Sequence, residues 1–211
     1  LRARATSISV DFGRLGAVAF GQPITVPVRP LVPGRARIDR GILFVDQLMP
    51  ENIDAEEICA LIKRECRWRV VPRESVICLD PTTQPDQVRH FRRAFPGVEI
   101  VQHHRGFYHL EENGLRAVDR AVLDLNHDVR LYVHPSLARH DSGRGIVETF
   151  GDHRASKPKD KWYEHACDVV RYLTQHFVPL PMRDGASEPE IEQKIDRASR
   201  PMAAGLKESL L

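Results

Sequence analysis

The chain has 211 residues, 42% of them hydrophobic and 28% charged, with 31 Lys and Arg set against 29 Asp and Glu. That apolar share is too large for a disordered chain, no apolar run approaches the roughly 18 residues of a membrane helix, and no fixed repeat recurs. A compact, membrane-free domain with loose ends is expected, large enough to be held by its hydrophobic core alone.

The near-neutral total hides a local asymmetry. Residues 1–45 carry seven arginines against Asp11 and Asp39, whereas residues 46–66 carry six acidic groups against Lys63 and Arg64. A face that meets a polyanion and a set of solvated loop arginines account for this about equally. Cys59, Cys66, Cys78 and Cys167 form neither a C-x-x-C pair nor a zinc spacing, so they read as reduced, largely buried thiols of a cytosolic protein. The opening Leu1-Arg-Ala-Arg has no starting Met and no signal-peptide order, which suggests a piece of a longer protein.

Thr6 to Phe12 alternates and is β-rich, Gly13 to Gly16 breaks it, and Ala17 to Phe20 resumes, predicting two antiparallel strands with Asp11 ending the first. Residues 22–40 hold Pro23, Pro27, Pro30 and Pro33 with Arg29, Arg35, Arg37 and Arg40, and are expected to form an extended basic loop or edge hairpin that projects rather than packs. Gly41 to Leu48 is the next strand. Asp54 and Glu57 have capping-box spacing, and Ile58, Leu61, Ile62 and Cys66 recur at helical intervals, predicting a helix over 54–66. Ser75 to Leu79 is a continuously apolar strand of the kind covered on both faces, and Asp80-Pro81 stops it.

Pro85 can open a helix with Val88, Phe91 and Phe95 inward and Gly97 closing it, before a strand over 98–102. A helix with Leu115, Val118, Val122 and Leu125 on one stripe precedes a strand over 129–133, and a short helix to about Phe150 follows. The last strong helix, 161–177, places Trp162, Ala166, Val169, Val170, Leu173 and Phe177 on its core stripe. Asp168, His165 and Tyr172 project from the opposite side, with Asp168 facing away from the core. The alternation of strands and helices reads as α/β. Beyond residue 178 the Pro- and Gly-containing segment 179–211 fits a tether or partner-binding tail.

Three carboxylates stand out by position: Asp11 and Asp80 at strand ends and Asp168 on the final helix. Oxygen ligands from separate elements suit Mg²⁺ or Mn²⁺, and two such ions can polarise a phosphodiester and activate a water for in-line attack. On spacing alone, turn residues and a solvated helix aspartate remain an open alternative.

The segment Ser9-Val-Asp11-Phe-Gly13 resembles the opening strand of RNase H-like nucleases. Ile42 to Leu48, then Asp54-Ala-Glu-Glu-Ile58, and Cys78-Leu-Asp80-Pro81 followed by Pro85 to Phe91, are similar in order and spacing to the nuclease domain of the large terminase subunit of tailed bacteriophages. Glu111 to Val118 is similar to a helix of that family, and Glu164-His-Ala-Cys-Asp168-Val-Val-Arg-Tyr172 follows its "(D/N)-H-A-x-D-A-x-R-Y" signature, with Glu164 and Val169 as departures. The resemblance covers about residues 6–177.

It implies an RNase H-like mixed central sheet flanked by helices over 1–178. It also implies a two-metal endonuclease that cuts concatemeric double-stranded DNA with little sequence specificity during viral genome packaging, in the cytoplasm of an infected bacterial host. Asp11, Asp80 and Asp168 match the family's metal-binding catalytic carboxylates, holding two divalent cations, Mg²⁺ or Mn²⁺, with Asp11 as the bridging ligand. His165 matches a histidine near that site. Glu164 and Asp46 are left open as further ligands.

Arg29, Arg35, Arg37, Arg40, Arg105, Lys157, Lys159 and Lys161 are candidate phosphate contacts that give affinity without sequence reading. The absence of G-x-x-x-x-G-K-[ST] implies that the packaging ATPase is a separate domain and, by the same resemblance, a partner together with the small terminase subunit and the portal. Another RNase H-like nuclease of resolvase or integrase type, or a non-catalytic docking module for portal or motor, are the alternative readings.

Overall fold

A computed structural model describes residues 4–12, 16–29, 37–102, 111–123, 127–138, 145–147 and 162–179, all within one compact unit. The strands are β1 (Ser7–Asp11), β2 (Ala17–Val28), β3 (Arg37–Leu48), β4 (Val76–Leu79), β5 (Glu99–Gln102) and β6 (Leu131–Val133). The helices are α1 (Ala55–Glu65), α2 (Pro85–Ala94), α3 (Glu111–Val122) and α4 (Trp162–Phe177), with one 3-10 turn at Pro135–Ala138. The strands form one mixed sheet in the order β5-β4-β1-β2-β3-β6. Only β2 runs against its neighbours; β1/β4, β4/β5 and β3/β6 are parallel. This is the α/β class that the sequence predicts, a mixed central sheet flanked by helices.

Helices cover both faces of the sheet. On one, Ile58 and Ile62 of α1 and Val88 and Phe91 of α2 pack against Ile8, Val10, Phe20, Ile77 and Leu79. On the other, Val118 and Ala121 of α3 and Val169, Val170 and Leu173 of α4 pack against Ala17, Ala19, Phe44, Val76 and Cys78. The alternation along β1 and β4 explains the division, since successive side chains point to opposite faces. With a helix on each side, all four residues of β4 are buried. Each apolar side chain that such a sandwich hides from water contributes roughly 1.5–3 kcal/mol.

Local chemistry sets the helix ends. Asp54 accepts from the Glu56 and Glu57 amides, and the Glu57 carboxylate accepts from the Asp54 amide, completing the capping box. Gly97, at φ 76°, turns the chain between α2 and β5, where a side chain would strain the backbone.

Three expectations need correction. Of the extended loop or edge hairpin expected over 22–40, the described residues form the hairpin, but it packs rather than only projecting: β2 continues to Val28 and β3 begins at Arg37, with Val26 and Val28 buried. The segment before β6 braces this arm, because the Asp128 carboxylate accepts from the Arg29 amide at 2.7 Å and Arg130 pairs with Asp39 at 3.1 Å. β1 pairs β2 only as far as Gly21, so Pro23 and Pro27 stand where β2 has lost that neighbour and a missing N–H costs little. In α3 the buried face is Ala117, Val118 and Ala121, and Val122 is largely exposed near the helix end. The third concerns the face of α4 and belongs to the site. All four cysteines are free thiols, Cys59 and Cys78 buried and Cys66 and Cys167 half-buried. Among the described residues, no helix is long and apolar enough to cross a membrane.

Candidate functional site

The parallel pairing of β1 with β4 matches Val10 to Leu79, and the Asp80 amide donates to the Val10 carbonyl at 3.1 Å. Asp11 and Asp80 are therefore neighbours one step further along, on strands about 5 Å apart. Both point to the α4 face. Ser9, two residues before Asp11, donates its hydroxyl to the Val169 carbonyl of α4 at 2.6 Å, and Cys78, two before Asp80, lies in the α4-side core. The sheet surface beneath α4 is built of small residues, Ser9, Ala17, Ala19 and Gly21, which lets the helix seat closely. A Cβ at Gly21 would sit 3.2 Å from Leu173 Cδ1 and 2.9 Å from Ile42 Cδ1.

α4 then brings its own polar face over the carboxyl ends of β1 and β4. His165, Asp168 and Tyr172 fall at i, i+3 and i+7, one face of a helix. The third correction concerns Tyr172, expected on the off-core side: it is 2% exposed and belongs to the buried cluster between α4 and the sheet, whereas Asp168, expected to face away from that core, keeps a side chain 28% exposed. That side of α4 is partly covered here because it lies over the end of the sheet.

Each carboxylate is met by a donor from α4. His165 Nδ1 donates to Asp11 Oδ2 at 2.5 Å, the Tyr172 hydroxyl donates to Asp80 Oδ2 at 2.7 Å, and Arg171 Nη2 reaches Asp168 Oδ1 at 2.7 Å. Asp80 Oδ1 in turn accepts from the Thr82 amide at 2.5 Å and from the Thr82 hydroxyl. The Arg171 guanidinium also lies 5.3 Å from the Tyr172 ring centroid.

The electrostatics are those of a crowded acidic cluster. Burial pushes the Asp168 carboxyl up to about 7; Arg171 opposes the rise, and Asp11 and Asp80 add to it. Asp11 is also raised, first by burial, against the pull of the His165 hydrogen bond and with a further push from Asp80. Burial, followed by the three carboxylates, holds the Tyr172 phenol protonated far above its usual range.

Four of the residues singled out in the sequence, Asp11, Asp80, Asp168 and His165, are thus brought to one end of the sheet. Asp46 is not among them. Phe20 pairs with Asp46 but Gly21 with Phe44, so Val45 is an extra residue and the strand's alternation reverses there. The bulge sends Asp46 to the α1 side, where its Oδ2 accepts from Trp68 Nε1 at 3.1 Å. Gln47 takes the α4 side instead, and its Oε1 accepts from the Ile146 amide at 2.7 Å.

Of the basic candidates, Arg29, Arg37 and Arg40 lie along the β2–β3 arm. Val28 is eleven residues from Ala17, the partner of Asp11, which puts the arm's far end about 35 Å from the carboxylates. Arg40, opposite Thr25, is about 25 Å away by the same measure. Arg35, Arg105, Lys157, Lys159 and Lys161 lie outside the described residues, as do the side chain of Glu164 and the segment 180–211. Thr82 and Arg171 had no role in the sequence-based reading of the site. Their signal was local: Thr82 sits two residues past Asp80, and Arg171 is one helical turn after Asp168.

The cluster suits a hard cation chemically. Three carboxylates share a buried corner with one arginine beside them, so ionised they leave a net negative charge that a divalent ion would neutralise. It is not a finished ligand shell: among the described residues no three His, Cys, Asp or Glu side chains are placed to hold one ion, and each carboxylate is engaged by a protein donor. Coordination would require these donors to share or release an oxygen.

No family model matches the chain, and no curated protein does. Three solved chains match. One is the nuclease domain of the large terminase of bacteriophage SPP1 with bound Mn, at 12% identity and a TM-score of 0.48, over 82% of this chain and 85% of that one.

Proposed function

We propose that this chain is a metal-dependent DNA endonuclease, the nuclease part of a viral genome-packaging terminase, cutting concatemeric double-stranded DNA with little sequence preference. The observation that carries the reading is the convergence of Asp11, Asp80, Asp168 and His165 at one end of the sheet, drawn from three separated stretches of sequence. The terminase signature quoted from α4 supports it independently, because its histidine and aspartate are the ones that arrive there.

In this reading Asp11, Asp80 and Asp168 would hold two divalent cations, Mg²⁺ or Mn²⁺. Such ions supply Lewis-acid polarisation of the scissile phosphate and an acidified water. The protein's own part is to fix the carboxylates. Ser9 docks α4 on β1, His165 orients Asp11, and Thr82 and Tyr172 orient Asp80. Arg171 restrains Asp168 and keeps a cation beside the developing negative charge.

Arg29, Arg37 and Arg40 would meet the same duplex at a distance. At 3.4 Å per base pair, 35 Å along the axis is about ten pairs from the scissile phosphate, a clamp that adds affinity and no sequence reading. Arg35, Arg105 and the lysines 157, 159 and 161 are proposed as further phosphate contacts. The ATPase motor, the small subunit and the portal are proposed as partners, and the host cytoplasm as the place of action.

The test is nicking of supercoiled plasmid in Mn²⁺ or Mg²⁺ by the wild type and by Asp11→Ala, Asp80→Ala and Asp168→Ala. Cutting that needs the metal and is lost in all three supports the proposal; retained cutting in the three variants removes it.

A further inference from the structure

Asp80 is the most tightly held of the three carboxylates, and the way it is held has a consequence for the proposed metal centre, on which this inference rests. A carboxylate offers about four acceptor directions, two on each oxygen. Thr82 fills both on Oδ1, with its amide at 2.5 Å and its hydroxyl, and the Tyr172 hydroxyl fills one on Oδ2 at 2.7 Å. One direction is left, on Oδ2. We infer that Tyr172 is a positioning residue for metal binding: with Thr82 it fixes the Asp80 carboxylate so that a single oxygen lone pair is presented to a cation.

The tyrosine is built for such a role. It is 2% exposed, and its ring packs in the α4-side core among aliphatic side chains where a phenylalanine would fit equally well. Its hydroxyl spends a buried donor on a carboxylate 92 residues away in sequence, on a different element. The ring lies under the Arg171 guanidinium, which itself holds Asp168. One helical turn thus ties the carboxylate of β4 to the carboxylate of α4, so that the separation of two ligands depends on Tyr172. Groups that orient metal ligands in this way typically change affinity 10- to 100-fold when removed.

Tyr172→Phe removes one oxygen and keeps the ring. The expected result is Mn²⁺ binding weakened about 10-fold, read as the dissociation constant by titration calorimetry or by the electron-spin signal of free Mn²⁺. The metal-free unfolding midpoint should stay close to that of the wild type, and the KM for DNA at saturating Mn²⁺ should be unchanged. Thr82→Val, which keeps the amide and loses only the hydroxyl, should weaken Mn²⁺ in the same direction by less, and provides the same test should the phenylalanine variant not fold. Equal Mn²⁺ affinity in the wild type and both variants overturns the role of Tyr172 while leaving the metal centre standing. A wild type that binds no Mn²⁺ overturns both.

Discussion

Replacing Asp168 by asparagine should stabilise the metal-free protein near pH 8, because the folded chain carries an ionised carboxylate where its surroundings disfavour one. Its carboxyl is raised from the ordinary 3.8 to about 7, mainly by burial, with Asp11 and Asp80 adding to the rise and Arg171 opposing it. The folded state therefore binds more protons than the unfolded state between about pH 4 and pH 7. Stability falls as pH rises through that window and is level above it. A rise of about three units corresponds to roughly 4 kcal/mol at 1.36 kcal/mol per unit. The side chain is 28% exposed, and solvent screening reduces this to about 2 kcal/mol.

Asparagine keeps an oxygen for the 2.7 Å contact with Arg171 and removes the charge that Asp11 and Asp80 feel. Urea unfolding at a series of pH values, with metal chelated, measures the difference. The variant should gain about 2 kcal/mol over the wild type at pH 8, and the gain should vanish toward pH 4. A variant no more stable at pH 8, or a difference that ignores pH, would refute the claim that these carboxylates crowd one another.

Other parts of the structure make separate predictions. Gly21→Val pushes a branched side chain against Ile42 and Leu173, whose methyls already lie 2.9 and 3.2 Å from a Cβ at that position. It should lift α4 from the sheet at a cost of about 1–3 kcal/mol, seen as a lowered calorimetric midpoint. Arg130→Ala takes a guanidinium away from buried Asp128 and the nearer of two guanidinium partners from Asp39, with Arg37 remaining at 3.8 Å. On the order of 3 kcal/mol should be lost in denaturant unfolding, and an unchanged midpoint would deny the brace on the hairpin arm. Arg40→Glu, far from the carboxylates, should weaken DNA binding at low salt and leave turnover at saturating DNA within about two-fold; a collapse of turnover would place the arm at the chemistry.

The fold was legible in the sequence because most elements announce themselves locally. The Asp54/Glu57 box, Pro85 and Gly97 mark helix ends by backbone chemistry alone, and the continuous apolar run of β4 needs two covering layers. Asp11 and Asp80 could be placed at strand ends for the same reason. What could not be read is long-range. The length of the β2–β3 arm depends on Asp128 and Arg130, about 90 to 100 residues away, bracing a Pro-rich stretch that looks like a loop.

The Val45 bulge, which turns Asp46 away from the carboxylates, is set by pairing with β2 and leaves no mark in the local pattern. The polar stripe of α4 is the instructive case. Helical periodicity set Asp168 off the apolar stripe, but only the tertiary arrangement brings that side of the helix to the ends of β1 and β4, with Tyr172 buried and bonded to Asp80.

The central claim is that Asp11, Asp80 and Asp168 are one cation-binding site. A crystal structure of the protein soaked in Mn²⁺, with anomalous diffraction recorded at the manganese edge, tests it most directly. The account predicts anomalous peaks within about 2–2.5 Å of oxygens from all three side chains. Peaks at other groups only, or no peak at the ends of β1 and β4, would contradict it.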